Sequence, residues 1–143
     1  MISFVAREVG IEDESPLLLV GISESTDDDG QDFFFQCDLR RNDYPEVSNW
    51  PEGESYSVSE QGGRSAYGCV REVWFQGNLL RFTLSARGAS ALALDDVSYE
   101  IRIEDPRADL PEVRRYLRRI VTCGRPEFHP TSVEIEDSDA STD

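Results

Sequence analysis

Twenty-nine carboxylates and one histidine bound the chemistry open to this 143-residue chain. Paired carboxylates can run acid–base or glycosidic chemistry. With 29 of them, close pairs arise by number alone, so none is singled out. Nucleophilic catalysis needs a Ser or Cys activated by a base. The one histidine, His129, sits between Phe128 and Pro130 and reads as a surface residue. Cys37, Cys69 and Cys123 are far apart and form no Cys-x-x-Cys, and neither Cys37 nor Cys69 has a base nearby in sequence. They read as reduced thiols, and Cys37 as a small buried hydrophobe. Asp27-Asp28-Asp29-Gly30 has the look of a calcium loop. It lacks the spaced ligands and terminal Glu of an EF-hand, so it reads as a solvated loop. Gly62-Gly63-Arg64-Ser65 leads into a strand, whereas a phosphate cradle needs a helix N-terminus behind it. No catalytic, metal-binding or cofactor-binding residue is assigned, and no cofactor is expected.

What the chain has in quantity is charge. All 14 basic residues are Arg, and the net charge is −15. Such a surface repels nucleic acid and anionic lipid and attracts cationic partners. Arg-only, Asp-rich usage also follows from a GC-rich genome or a salt-adapted proteome, so local clustering says more than the total. Glu24 to Asp32 carries five acids and no base. In the long loop 40–53, Tyr44 and Trp50 stand among Asp43, Glu46, Glu52 and Glu54. Aromatic anchors ringed by charge are typical of protein–protein hot spots. The competing reading is that Trp50 pins its loop to the core. The residues expected to bind a partner are Asp27, Asp28, Asp29, Asp32, Asp43, Tyr44, Glu46, Trp50 and Glu52. Arg114, Arg115, Arg118 and Arg119 read as a solvated helix face making ion pairs within the chain.

Period-2 alternation and turn chemistry place the elements behind these residues. Strands are expected over 2–9, 17–23, 33–39, 55–60, 66–76, 79–84 and 97–103, with Gly10 and Glu12 to Pro16 supplying the first turn. Gly62-Gly63 and Gly77-Asn78 mark two hairpins. A short helix follows an N-cap at Ser85, and a longer one follows Asp109, with Leu110, Val113, Leu117, Ile120 and Val121 on one face and Gly124 as its stop. The expectation is one α+β domain over 1–126: a twisted antiparallel sheet of six to eight strands with a short helix and a C-terminal helix packed on it. Residues 127–143 are expected to be an acidic, disordered tail. No secretory signal is visible, which makes the cytoplasm the default location.

Three blocks read in order are similar to a known family. They are Phe33-Phe34-Phe35-Gln36-Cys37-Asp38-Leu39; Tyr56 through Gln61-Gly62-Gly63 to Tyr67-Gly68-Cys69-Val70; and Leu80 to Val121, with LRFTLSARGASALAL, VSYEIRI and LPEVRRYLRRIV. Over residues 15–122 the chain resembles the Immunity protein 10 family of bacterial polymorphic toxin systems. That resemblance implies a non-enzymatic protein that binds a cognate toxin domain and blocks its active site or assembly. A basic toxin fits the charge, which was read independently. The resemblance carries over no site residues. The other readings of the residues are a small acidic ligand-binding or structural module and a carboxylate-dependent hydrolase.

Overall fold

The computed structural model describes residues 1–24, 30–42, 55–60 and 62–136. Its strands are β1 (Ile2–Ala6), β2 (Glu8–Glu14), β3 (Leu17–Ser23), β4 (Asp32–Asp38), β5 (Ser57–Ser59), β6 (Ser65–Tyr67), β7 (Val70–Gln76), β8 (Leu79–Leu84), β9 (Ser98–Ile103) and β10 (Ser132–Ile135). Helix α1 (Ala86–Ala91) joins β8 to β9, and α2 (Leu110–Val121) lies between β9 and β10. The class is α+β, but the strands form two five-stranded sheets, not the single antiparallel sheet expected. The first runs β1-β9-β8-β7-β10 and the second β2-β3-β4-β5-β6. The first is mixed, with β1 parallel to β9 and β10 parallel to β7.

Two corners divide the strands between the sheets. Residues 2–9 are not one strand. Ile2, Phe4 and Ala6 meet the core from β1, and Val9 and Ile11 from β2, so the inward parity slips at Arg7. There the chain leaves the first sheet for the second, and Arg7 N–H bonds the Ser23 carbonyl at 2.9 Å. Residues 66–76 divide likewise at Gly68, whose φ of +58° lies in the left-handed region. A Cβ there would stand 2.7 Å from Phe128 Cβ, so the corner needs glycine for space as well. The expected turn at 12–16 is shorter than read, because β2 runs to Glu14, paired with Leu17.

The sheets face each other across an aromatic core. Phe33 of the second sheet meets Phe82 and Tyr99 of the first edge-on, at centroid distances of 5.1 and 5.0 Å. Such geometry is favourable for rings beyond the area it buries. Helix α2 begins where read: Asp109 caps it by accepting from Glu112 N–H at 3.2 Å. It packs against β3 and β4, with Val113, Leu117, Ile120 and Val121 buried. The Asp105 carboxylate accepts from Val9 N–H and Arg107 N–H, each at 3.0 Å, which lowers it below its ordinary range and ties β2 to the end of β9.

The expected tail is corrected over part of its length. Ser132–Ile135 adds β10 to the edge of β7, with Ile135 buried and Glu134 exposed. Val133 and Ile135 offer enough apolar surface to complete the sheet, and composition outweighed that alternation in the sequence reading. Residues 137–143 lie outside the described part. Among the described residues no helix is long and apolar enough to cross a membrane.

Candidate functional site

Of the nine expected partner-binding residues, Asp32 alone lies in the described part. Asp27, Asp28, Asp29, Asp43, Tyr44, Glu46, Trp50 and Glu52 fall outside it. The roots of their two loops are defined. Glu24 and Gln31 close the first: Glu24 N–H bonds the Gln31 carbonyl and Gln31 N–H bonds Glu24 Oε1, both at 2.9 Å. The second leaves the far end of β4, where Leu39 N–H bonds the Pro16 carbonyl at 2.8 Å and Arg40 pairs with Asp38 at 2.7 Å. It returns at Ser55, bridged to Gly124. Asp32 and Asp38 are the first and last residues of β4, so the two loops start roughly 20 Å apart at ~3.4 Å per residue. The strand face between them connects the two.

That face is the outer side of the second sheet. Register puts Gly10, Gly21, Phe34, Ser59 and Ser65 in one row across it, and Glu12, Leu19, Gln36, Ser57 and Tyr67 in the next. Outside these rows lie Glu8, Ser23 and Asp32 at one end, and Glu14, Leu17 and Asp38 at the other. Phe34 and Leu19 are half-buried; Leu17 and Tyr67 are 42% and 37% exposed. The Phe34 ring lies over Gly21, where an added Cβ would come within 3.1 Å of it. The strand residues of this face carry five acids and no base. The side chains of Glu8, Glu12 and Glu14 make no ion pair or hydrogen bond among the described residues. Sequence reasoning missed this ladder because 12–16 was read as a turn. The signal was there in the alternation of Glu8, Gly10 and Glu12 with Val9 and Ile11.

Groups with catalytic potential elsewhere are occupied. No cysteine is in a disulfide, and all three thiols are buried. The Cys123 side chain and burial push the Cys37 thiol far up, and burial pushes Cys69 up to about 12, so neither supplies a thiolate near neutrality. His129 Nε2 lies 3.1 Å from the Gly124 carbonyl. The Gly62-Gly63 turn does hold an anion, but its own. Desolvation raises Glu60, yet N–H groups of Gly62 and Arg64, at 2.8 and 3.1 Å, more than offset it and lower that carboxyl. Asp13, Asp96, Asp105 and Glu112 are also lowered, the reverse of a general acid held protonated at neutral pH. A cleft of about 470 Å³ between β6 and α1 has Arg71 and Arg87 on its walls. Among its described lining the one carboxylate, Glu127, is paired with Arg125 at 2.9 Å.

The arginines of α2 are not all solvated. Arg114 is buried over the Phe75 ring and donates to the Gly77 carbonyl at 2.6 Å. Arg118 donates to the Ile135 carbonyl. The two clamp the β7–β8 turn and β10 to the helix, a role open to guanidinium because it bonds and stacks at once. Arg115 and Arg119 flank Tyr116, whose hydroxyl donates to Asp13 at 2.6 Å.

Among the described residues the open features include a shallow acidic sheet face with an apolar centre and a cationic cleft, which suits a protein that binds. A model of the family described as Immunity protein 10 matches residues 5–111. The chain belongs to the Immunity protein 10 family. Membership carries an immunity role in toxin systems, with a toxin as partner. The match runs from the end of β1 through β9 and stops in the first turn of α2, so it starts earlier and ends sooner than the resemblance read from sequence. No curated protein and no solved structure matches the chain.

Proposed function

We propose that the chain neutralises a cognate, cationic toxin domain by binding it stoichiometrically, with no catalysis of its own, in the cytoplasm of the producing cell. Nucleic acid and membrane are not its targets, since both are anionic surfaces. The toxin is met by the acidic run holding Asp27, Asp28, Asp29 and Asp32, and by the loop holding Asp43, Glu46 and Glu52, with Tyr44 and Trp50 as anchors. Family membership supports the immunity role. The observation that carries the charge of the partner is the unpaired ladder of Glu8, Glu12 and Glu14 in a chain whose other acids repeatedly find arginines, as Glu60, Glu100 and Glu112 do. Acids left unpaired speed encounter with a basic surface and reject an acidic one.

Titrating the toxin domain encoded beside this chain with the purified chain tests the reading. Toxin activity should fall to zero at one equivalent, and association should slow steeply with added salt. Toxin activity that survives a large excess of the chain overturns it. Replacing Asp27, Asp28 and Asp29 by Asn, or Trp50 by Ala, should each weaken binding at least tenfold; unchanged affinity in both removes the loops from the contact.

A further inference from the structure

We infer that the outer face of the second sheet is itself the toxin-docking surface, and that it takes a cationic protein patch whose Lys or Arg side chains surround one exposed apolar side chain. This rests on the neutralisation proposed above and names the contact within it. Three independent features of the face converge. Its rim carries acid, with Glu8, Glu12 and Glu14 on the edge strand β2 and Asp32 at the start of β4, while Asp38 at the other end of β4 is paired with Arg40. Its centre is apolar at Leu19 and Phe34, with Leu17 and Tyr67 further out; all four point away from the core, and none packs against it. It is also flat beside that centre, because Gly10 pairs with Gly21 and nothing lies within 4 Å of where a Gly10 Cβ would sit.

Charge on an edge strand has a simpler role, which is to discourage edge-to-edge pairing. That role asks nothing of β3 and β4, which are interior strands, yet these present the half-buried Leu19 and Phe34 outward. An apolar centre with a polar rim is the anatomy of an interface. The strands span roughly 300–400 Å², close to half of the ~800 Å² each partner buries in a standard complex. A second copy of this chain is a poor occupant, since it would bring the same five acids against these.

Gly10 provides a test that leaves the fold intact. Its φ is not in the left-handed region and the space above it is open, so Gly10→Arg should unfold at the same temperature as the parent. It puts bulk and the wrong charge between Glu8 and Glu12, on the acidic edge of the contact. Binding to the toxin domain encoded beside the chain should weaken at least tenfold for Gly10→Arg and for Glu12→Arg. Ser3→Arg, on the outer face of the first sheet, should bind as the parent does. If the parent binds and Gly10→Arg and Glu12→Arg bind equally well, this surface is wrong while neutralisation stands. If the parent itself does not bind, both fall. A concentration-dependent dimer that Gly10→Arg dissolves makes the face a contact between copies and also overturns the proposal.

Discussion

The outer faces of the two sheets share a construction and differ in how they treat charge. Across the first, register lines up Glu134, Trp74, Arg81, Glu100 and Ser3. Arg81 pairs with Glu100 at 2.7 Å and stacks over Trp74 at 4.9 Å, whereas Glu72 and Glu134 beside them meet no cation among the described residues. Across the second, Phe34 lies in a row of glycines and serines, and the glutamates of β2 meet no cation among the described residues. The matched Arg81–Glu100 pair gives up little to a partner, because each new contact must break an old one. A face with unmatched acid and uncovered apolar surface gains on both counts when a basic partner arrives. In a strongly acidic protein, where the acids stay unpaired therefore says more than how many there are.

The largest effect should come from the wall between the faces. Phe82 meets Phe33, Phe35 and Tyr99 and so couples the sheets. Phe82→Ala should cost about 3–5 kcal/mol of unfolding free energy in a denaturant titration, with toxin binding lost wherever folding is lost. The comparison is sharpened by replacing Glu8, Glu12 and Glu14 together with Gln. Association with the toxin should slow about tenfold or more at low salt, with its salt dependence flattened and stability changed by less than ~0.5 kcal/mol. An on-rate untouched by all three changes would erase the difference between the faces. The smallest effect is the mirror experiment: Arg81→Met removes the pair and the stack on the first face. It should lower stability by about 0.5–1 kcal/mol and leave toxin affinity where it was.

Much of the local structure was legible beforehand. The hairpins at Gly62-Gly63 and Gly77-Asn78, the Ser85 and Asp109 caps and the inward face of β4 all follow from neighbouring residues, and all stand where read. The division into two sheets was not legible, because it turns on a one-residue slip of parity at Arg7 and a positive φ at Gly68. β10 was hidden behind acidic composition, since a lone four-residue strand has no support until β7 offers an edge. Arg114 looked like its neighbours on the helix; its burial depends on Phe75 and Gly77, both distant in sequence.

The candidate site divides along the same line. Total charge, poverty in reactive groups and the family resemblance are properties of composition and local order, so the chain alone specifies them. Which acids share a face with which apolar side chains depends on pairing between residues well separated in the chain, such as Gly10 with Gly21, Phe34 with Ser59 and Gln36 with Ser57. A linear chain holds no record of that pairing, because strand register is set by the core that the sheets bury together and not by the surface they leave open.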